Sequence, residues 1–339
     1  MTTLQSPAGA GFFMPAEWHP HRRTWMMWPT RSEIWPDIDA VRLAYAEVAR
    51  TIRRFEPVTM AANAGDVAAA KALLGPDIEV VAIPVDDSWA RDAGPCFLVD
   101  GRGNRAGAVF RFNAWGDKYE PHDRDAAFAA AVLDREGLPC FVCAMVAEGG
   151  GISVDGEGTI LTTGTCFPNA NRNPGWSREA ISAELKRMLG GTNVVWLPGN
   201  AVEVETDGHV DCVAVFARPG VVLVEEAGEP GSEHDRIMRE NHRALSLARD
   251  ARGRPFELVK VPEAADAEGR GERFCRSYVN SYFVNGGVVI PAYGTPADAI
   301  VRDIFARVFP EREVAQVAVS AIAEGGGGIH CITQQEPEA

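Results

Sequence analysis

The stretch "AEGGGGIHC", Ala323–Cys331, places four consecutive glycines beside a cysteine near the end of the chain. A close copy, "AEGGGIS", stands at Ala147–Ser153. An ordered glycine costs roughly 0.5–1 kcal/mol more backbone entropy than alanine, so a run of glycines needs a local reason such as a positive φ or a closely approaching ligand. The two copies therefore predict two equivalent loops at which the backbone passes close to a ligand.

Both loops belong to a block that recurs five times along the chain. Each block contains an amphipathic helix, an apolar strand, a polar loop and a further pair of strands. The helices start near residues 40, 124, 177, 234 and 296, and their apolar residues are Val41, Tyr45, Val48 and Ile52; Phe128 and Val132; Ile181, Leu185 and Met188; Ile237, Leu245 and Ala248; and Ile300, Ile304 and Val308. Thr295 is the predicted cap of the last helix. The strands that follow the helices are "VTMAA", "CFVCAM", "VVWLP", "FELVKV" and "VAQVAV".

Five similar modules, each needing a neighbour to cover its sheet, predict one α/β domain over residues 1–339. We expect a five-bladed propeller with pseudo-five-fold symmetry, closed into a ring. The spare strand-like segment "RTWMMWP" at the N-terminus would complete the last block, which otherwise ends with "ITQQ". A doubly wound sheet is the alternative, since it also alternates strands and helices. The propeller is favoured because it brings the five polar loops to one central face.

Composition limits the partners and the location of the protein. The chain has 339 residues, and its 47 Asp and Glu against 33 Lys and Arg leave a formal net charge of −14. This surplus disfavours nucleic acid and anionic membranes and favours a small cationic ligand. The N-terminus does not resemble a signal peptide, and no apolar run is long enough to span a membrane. The oligomeric state stays open, a homo-oligomer included.

The seven cysteines are scattered and odd in number, which predicts reduced thiols and a cytoplasmic location. One pair has C-x-x-C spacing, Cys140 and Cys143, within an apolar segment typical of a strand. Residues three apart on a strand point to opposite faces, so we expect two buried structural side chains there and no zinc or redox site.

The polar loops carry reactive side chains that the predicted ring would bring together. They are Asp86, Asp87, Trp89, Arg91 and Asp92; Glu148; Asp207, His209 and Asp211; Asn280; and His330 and Cys331. A nucleophilic cysteine needs a base or a cation that raises its thiolate fraction. His209 is the candidate base for Cys331, with Glu148 as the carboxylate that holds it.

The excess of carboxylates around this thiol points to a cationic substrate. Acidic neighbours raise the pKa of a thiol, and a bound cation would offset that effect. Asp92 and Asp211 are each able to accept two N–H groups from a planar guanidinium. Trp89 would stack on the cation or pack in the core. Glu205 is the candidate carboxylate for an amine at the far end of the substrate.

Structural alternatives stand beside these interpretations. Cys331 can be a buried structural thiol, Asp92 can pair with Arg91, and Glu148 can accept hydrogen bonds within a glycine turn. His330 faces away from Cys331 if the segment is extended, which predicts a structural role. The "HVD" motif lacks the further ligands of a zinc site, so we expect no metal there.

Several segments resemble those of bacterial and plant agmatine deiminases, within the Porphyromonas-type peptidyl-arginine deiminase family and the pentein superfamily. They are "MPAEW", "TWMMWP", "DDSWARDAGP", "FNAWG", "EGGGISVDGEGTILTT", "NRNP", "WLPG", "TDGHVD", "ARPGV", "SYVN" and "GGGGIHCITQQEP", between about residues 14 and 337. The resemblance implies the five-bladed pentein fold, a Cys331 nucleophile, His209 as acid and base, and Glu148 as its support. It also implies that Asp92 and Asp211 bind the guanidinium, and that neither a metal nor an organic cofactor is required.

The reaction that this resemblance implies is hydrolysis of agmatine to N-carbamoylputrescine and ammonia through a covalent thiouronium on Cys331, on a route to putrescine. Three segments depart from the family pattern: "EGGGISVDG" stands for "EGGSIHVDG", "GGGGIHC" for "GGGNIHC" and "LTTGTCFP" for "LTTEECLL". These changes leave the reacting groups intact but touch loops near the substrate tail. Two alternatives stay open: deimination of arginine, peptidyl-arginine or a modified arginine, and a propeller that binds without catalysis.

Overall fold

The computed structural model describes residues 6–35, 37–268 and 271–339. Residues 1–5 lie outside the described residues. They include the start of the predicted domain and of the N-terminal segment that does not resemble a signal peptide. Sixteen strands are present in this part of the chain: β1 (His21–Met27), β2 (Val58–Ala62), β3 (Glu79–Ala82), β4 (Cys96–Val99), β5 (Arg105–Arg111), β6 (Cys140–Val146), β7 (Ser153–Val154), β8 (Thr159–Thr163), β9 (Asn193–Leu197), β10 (Ala214–Arg218), β11 (Val221–Glu226), β12 (Glu257–Pro262), β13 (Tyr282–Val284), β14 (Gly287–Ala292), β15 (Glu313–Ala318) and β16 (Gln334–Pro337).

Nine α-helices separate the strands of the described chain. They are α1 (Ile38–Arg53), α2 (Val67–Leu74), α3 (Ala90–Ala93), α4 (Ala114–Asp117), α5 (Asp123–Glu136), α6 (Arg178–Leu189), α7 (Glu233–Leu247), α8 (Ala297–Val308) and α9 (Ser320–Ala323). Short 3₁₀ helices lie at Ala8–Ala10, Ser32–Ile34, Gly149–Gly151 and Val210–Cys212. The predicted helices of all five blocks are confirmed as α1, α5, α6, α7 and α8.

The strands form five separate sheets in chain order. The first has the order β16-β1-β2-β3, and the others are β4-β5-β6, β7-β8-β9, β10-β11-β12 and β13-β14-β15. In each three-stranded sheet an antiparallel pair is followed by a parallel strand that arrives after a helix. A parallel neighbour requires such a crossover, whereas an antiparallel neighbour needs only a short turn. The protein is thus a mixed α/β fold built from five small sheets, not one doubly wound sheet.

The N-terminal strand pairs with the C-terminal strand, as the sequence predicted. Thr24 faces Gln335 and Trp25 faces Gln334 in the antiparallel β1–β16 ladder, while β1 runs parallel to β2. The first sheet has a fourth strand, β3, which together with α2 the sequence did not reveal. These two elements account for the long interval between the first two predicted helices.

The helices begin and end where local chemistry predicts. Asp37 accepts hydrogen bonds from the N–H groups of Asp39 and Ala40 at the start of α1, and α5 ends at Gly137 with φ 63°. The start of α8 differs from the prediction, because the carboxylate of Asp298, and not Thr295, accepts the nearby backbone N–H groups.

The buried face of α8 also differs from the predicted one. Val301 and Phe305 are fully buried, whereas Ile300 is 56% exposed. The apolar residues at 300, 304 and 308 keep helical spacing, but the side packed on the sheet is shifted by one residue. Cys140 differs too: it is exposed on β6, and only Cys143 is buried.

The loops that connect one sheet to the next share one position in the architecture. Each follows the last strand of a sheet and precedes the first strand of the next: residues 83–95, 147–152, 198–213, 263–281 and 319–333. They are the polar loops of the five blocks, and they carry the candidate site residues. No helix among the described residues is long and apolar enough to cross a membrane.

Candidate active site

The five connecting loops bring the predicted residues together in the interior. Asp92 comes from α3, Glu148 precedes the Gly149–Gly151 turn, and His209 and Asp211 flank the start of the Val210–Cys212 turn. Cys331 lies between α9 and β16. All five side chains are at least nine-tenths buried.

Gly150, in the connecting loop of residues 147–152, allows this convergence. A Cβ atom on Gly150 would lie 2.5 Å from His209 Nδ1, 2.9 Å from Asp92 Oδ1 and 3.0 Å from Asp211 Oδ2. A residue with a Cβ atom does not fit at position 150 when neighbouring atoms are this close. Gly150 therefore leaves the space in which the imidazole and two carboxylates meet, and its own N–H donates to Asp92 Oδ1 at 2.8 Å.

The glycines of the last loop make room in the same way. A Cβ atom on Gly327 would lie 2.3 Å from the Trp89 ring, and one on Gly328 would lie 2.5 Å from Asn280 Oδ1. Gly326 adopts φ 96°, in the left-handed region that L-residues with side chains disfavour. The positive φ of Gly326 is one of the local reasons that the sequence led us to expect, whereas Gly150, Gly327 and Gly328 are required by neighbouring side chains. The predicted approach of both loops to a ligand stays a prediction.

Cys331 is held among polar groups. Its Sγ lies 3.2 Å from the donating Asn280 Nδ2 and donates towards Asp211 Oδ2 at 3.6 Å. A hydrogen bond from the Cys212 thiol lowers the pKa of Cys331, but burial and the charges of Asp211 and Asp92 outweigh it and raise that pKa above its ordinary value. The sulfur is therefore a thiol at neutral pH when no cation neutralises these carboxylates.

His209 lies between two carboxylates. Its Nδ1 is 3.8 Å from Asp92 Oδ1 and its Nε2 is 3.6 Å from Glu148 Oε2. Burial opposes its charged form, yet the carboxylate of Asp92 and neighbouring groups that include Glu148 hold the pKa of His209 well above its ordinary value. Within the described part of the chain neither ring nitrogen has a hydrogen-bond partner, so both can serve a ligand or water.

Glu148 is fixed by an arginine. Arg172 Nε donates to Glu148 Oε1 at 2.6 Å, and both side chains are fully buried. Burial alone would raise the pKa of Glu148, but the charges of Arg172 and His209 lower it below its ordinary value. Asp207, a member of the predicted constellation, accepts from Arg172 Nη1 at 2.6 Å and so acts on the site through that arginine.

Asp211 is fixed by a histidine. His330 Nδ1 lies 2.8 Å from Asp211 Oδ2, and His330 Nε2 lies 2.8 Å from Glu17 Oε2. Burial opposes ionisation of Asp211, but His330 and His209 hold its pKa below the ordinary value. His330 thus connects Asp211 to Glu17, and its predicted structural role stays a prediction. Asp211 Oδ1 is buried and has no partner among the described residues, which leaves it available to a ligand.

Asp92 accepts from Trp115 Nε1 at 2.9 Å in addition to Gly150. Burial raises its pKa, and although the charge of His209 opposes this, repulsion from Asp211 and Glu148 adds to the rise. Arg91 does not pair with Asp92. Its side chain donates to Gln335 and to the His330 carbonyl, and its backbone N–H donates to the Cys331 carbonyl at 3.1 Å.

A cavity opens onto Cys331 and Asp92. Its other lining residues are Ile34, Trp89, Trp115, Tyr119, Glu205, Thr206 and Gly325 to Gly327. Trp89 is both buried and part of this wall, with its ring 5.5 Å from Trp35 and 6.4 Å from Trp115. Glu205 accepts from the Tyr119 hydroxyl at 2.5 Å. Trp89 and Glu205, the two further candidate substrate contacts predicted from the sequence, thus line the same cavity as the thiol.

Two acidic residues of the predicted constellation are used elsewhere. Asp87 lies 3.3 Å from Arg31, and Asp86 accepts from the N–H of Arg124 at 2.9 Å. The sequence reasoning in turn assigned no role to Glu17, Arg172, Trp115 or Tyr119. Three of these stand in the quoted segments "MPAEW", "NRNP" and "FNAWG", so the signal was a matching motif without a known contact.

Cys166, His209 and Glu148 also lie close enough together to offer one ligand atom each to a metal ion. Arg172 already occupies one Glu148 oxygen, and the Cys166 thiol donates towards the other at 3.9 Å. A buried arginine beside the group disfavours a cation at that point. The set is better suited to holding a proton on His209.

Comparison with known proteins assigns the chain to a family. The model of the Porphyromonas-type peptidyl-arginine deiminase family matches residues 13–337. The chain is 43% identical over 363 residues to the agmatine deiminase of Stutzerimonas stutzeri and 41% identical over 363 residues to that of Pseudomonas putida, with 99% of both chains covered each time. The solved structure of the agmatine deiminase of Enterococcus faecalis superposes with a TM-score of 0.95 at 32% identity, covering 100% of this chain and 99% of the other. The protein therefore belongs to the Porphyromonas-type peptidyl-arginine deiminase family.

Proposed function

We propose that the protein hydrolyses agmatine to N-carbamoylputrescine and ammonia, with Cys331 as the nucleophile. One observation carries the proposal: a thiol, an imidazole and three carboxylates from four connecting loops meet in the interior, and the thiol and one of the carboxylates line an aromatic-walled cavity. The relatives named agmatine deiminase, at 41–43% identity over nearly the whole chain, support the same conclusion.

The charges of the site favour a guanidinium over a neutral substrate. The carboxylates of Asp92, Glu148 and Asp211 are buried, and among the described residues only the Glu148 carboxylate forms an ion pair with an arginine. Bidentate hydrogen bonds from a guanidinium would satisfy the free Asp211 oxygen and the remaining acceptor capacity of Asp92. The bound positive charge also lowers the pKa of Cys331, because it opposes the two aspartates that raise it.

The reaction proceeds in two covalent stages. Substrate binding releases the thiol proton, and the Cys331 thiolate attacks the guanidinium carbon to form a neutral tetrahedral adduct. His209 donates its proton to one amino group, which departs as ammonia and leaves a cationic thiouronium on the sulfur. The neutral His209 then takes a proton from a water molecule, and the oxygen of this water attacks the thiouronium carbon. The carbon–sulfur bond breaks, the hydroxyl proton leaves with the sulfur, and a neutral ureido product is released.

The cavity wall favours agmatine over arginine. Trp89, Trp115 and Tyr119 surround the path of an alkyl chain, and Glu205 lies on the same wall. A terminal ammonium would meet the Glu205 carboxylate, whereas the α-carboxylate of free arginine would face a like charge. Burial raises the pKa of Glu205, although Tyr119 and Arg273 oppose the rise, so a cationic partner would stabilise its ionised form.

We also propose that the five sheets are the blades of one closed propeller domain with the site at its centre. The support is the shared position of the five connecting loops and the contribution of a site residue by each. A cytoplasmic location is part of the proposal as well, and its support is that all seven cysteines are unpaired.

The decisive experiment compares substrates and variants. Purified protein is given agmatine, arginine, a peptide with an internal arginine and methylated arginine, while ammonia and ureido product are quantified. Agmatine should be turned over with the highest kcat/KM, and Cys331→Ala should abolish turnover while still binding agmatine. Trapped wild-type protein should carry the amidino adduct on the Cys331 peptide. Full turnover by Cys331→Ala, or a higher kcat/KM for a peptide, would contradict the proposal.

A further inference from the structure

Three of the scattered cysteines meet behind the active-site cavity. Cys331 comes from the last connecting loop, Cys212 from the Val210–Cys212 turn, and Cys275 from the loop between β12 and β13. The Cys212 and Cys275 sulfurs are 3.9 Å apart. The amide Nδ2 of Asn280 lies 3.4 Å from the Cys212 sulfur and 3.2 Å from the Cys331 sulfur.

Cys331 is the sulfur of this cluster that lines the cavity. Neither Cys212 nor Cys275 is among the described residues that line it. A small molecule that enters the cavity therefore reaches Cys331 first. The hydrolysis proposed above uses only the Cys331 sulfur as a nucleophile, so neither Cys212 nor Cys275 reacts with the substrate.

The other four cysteines do not belong to this cluster. Cys140 is exposed on β6, and Cys143 donates to Glu184 at 2.8 Å. Cys166 lies beside Glu148, and Cys96 is buried at the start of β4. Cys331, the proposed nucleophile, is thus the cysteine that has two further thiols, those of Cys212 and Cys275, clustered near it in space.

We propose that Cys331, Cys212 and Cys275 form a thiol relay at which small hydroperoxides reversibly modify the enzyme. The Cys331 thiol loses its proton as its sulfur attacks one peroxide oxygen. The oxygen–oxygen bond breaks, the proton leaves with the other oxygen as water or an alcohol, and a sulfenic acid remains on Cys331. The Cys212 sulfur then attacks the sulfenic sulfur, and its proton leaves with the hydroxyl group as water. A Cys331–Cys212 disulfide results, and the peroxide has been reduced by two electrons.

The third thiol allows the nucleophile to be recovered. Cys275 attacks the Cys212 sulfur of that disulfide, its proton passes to Cys331, and the disulfide moves to Cys212–Cys275. This exchange needs no further oxidant. Cys331 is then free again, and the Cys212–Cys275 disulfide awaits reduction by an external thiol. Without Cys212, the sulfenic acid would be exposed to a second peroxide and would pass irreversibly to sulfinic acid.

The test is disulfide mapping after treatment with hydrogen peroxide. Wild-type protein, Cys212→Ser, Cys212→Ala, Cys275→Ser and the exposed control Cys140→Ser are oxidised, blocked with iodoacetamide and digested without reduction. Wild type and Cys140→Ser should yield Cys331–Cys212 and Cys212–Cys275 peptide pairs, and Cys275→Ser only the first. Both Cys212 variants should yield neither pair and should accumulate sulfinic acid on Cys331.

Activity recovery gives a second readout, with each variant scaled to its own untreated rate and its fold checked by circular dichroism. Dithiothreitol should restore most of the agmatine turnover of peroxide-treated wild type but little of that of either Cys212 variant. Absence of both disulfides from wild type, or equal recovery by Cys212→Ala and Cys140→Ser, would overturn the relay. The mapping does not depend on the proposed function, because the disulfides are detected even in a protein without turnover.

Discussion

Gly150 and His209 lie so close that a Cβ atom on residue 150 would be 2.5 Å from Nδ1 of the imidazole. The two residues come from neighbouring connecting loops, so the absence of a side chain on one positions the ring of the other. The φ of Gly150 is not in the left-handed region, and the constraint is therefore one of space and not of backbone conformation.

Gly150→Ala should lower kcat for agmatine on the order of a hundredfold, because the added methyl group displaces His209 or Asp92 from the reacting atoms. Steady-state kinetics measures this effect. Gly65→Ala is the matched control, since a Cβ there meets nothing within 4 Å, and it should keep wild-type rates. Equal rates for the two variants would show that Gly150 does not position the site.

Arg172→Met should destabilise the protein by about 3–5 kcal/mol, because it leaves the fully buried Glu148 carboxylate without its cation. Denaturant unfolding at neutral pH measures the change. The control is Arg236→Met, whose arginine is 60% exposed and paired with Glu240 on α7, and it should cost only about 0.3–0.5 kcal/mol. A similar cost for both substitutions would contradict the role assigned to Arg172.

The pH profile of kcat/KM should be a bell shifted to the alkaline side. The Cys331 thiolate is required, and the pKa of Cys331 lies above its ordinary value, so activity rises with pH as the thiol ionises. The His209 imidazolium is also required, and since its pKa is well above the ordinary value, activity falls only at higher pH. Cys212→Ala should move the rising limb to higher pH, because it removes the hydrogen bond that lowers the pKa of Cys331. If the rising limb of the profile lies at the same pH in Cys212→Ala as in wild type, the hydrogen bond from Cys212 does not lower the pKa of Cys331.

Glu17 should contribute acid-sensitive stability. Burial opposes its ionisation, but His330 and Arg91 lower its pKa from the ordinary 4.5 to about 2. A carboxylate with a depressed pKa stabilises the fold above its ordinary pKa, and this contribution is lost as pH falls from 4.5 towards about 2. Glu17→Gln should therefore cost about 3 kcal/mol near neutral pH, with the difference from wild type shrinking below that ordinary pKa. Unfolding measured across this range tests the prediction, and a difference independent of pH would refute it.

Glu205→Gln should raise KM for agmatine roughly tenfold and leave kcat close to wild type, because the lost contact is with the substrate tail and not with the reacting carbon. Butylguanidine, which lacks the terminal amine, provides the control. Wild type and variant should turn over butylguanidine with similar KM. If the substitution raises KM by the same factor for agmatine and for butylguanidine, Glu205 does not bind the amine.

Sequence reasoning identified the helices, the recurring block and the loop positions because these depend on local patterns. The period of the apolar residues predicts α1 and α6, and glycine predicts the end of α5. The short α2–β3 unit was missed because its alanine-rich segment has little apolar periodicity. The buried face of α8 was misassigned because apolar residues occupy two neighbouring stripes of that helix.

Cys331, His209, Glu148, Asp92 and Asp211 were selected from their types, their loops and a family resemblance. The residues that hold these side chains in place were not predicted, because each lies far along the chain from its partner. Glu17 is 313 residues from His330, and Arg172 is 24 residues from Glu148. The cluster of Cys212 with Cys275 was equally hidden, since 63 residues separate them.

By itself the sequence determined which segments become helices and strands, and which side chains are chemically able to attack a guanidinium. Only the tertiary structure decided which charges are neutralised, which thiols touch and how far each pKa moves. The reason is that periodicity and turn chemistry act over a few residues, whereas Coulomb interactions and packing depend on distances that five separate loops set together.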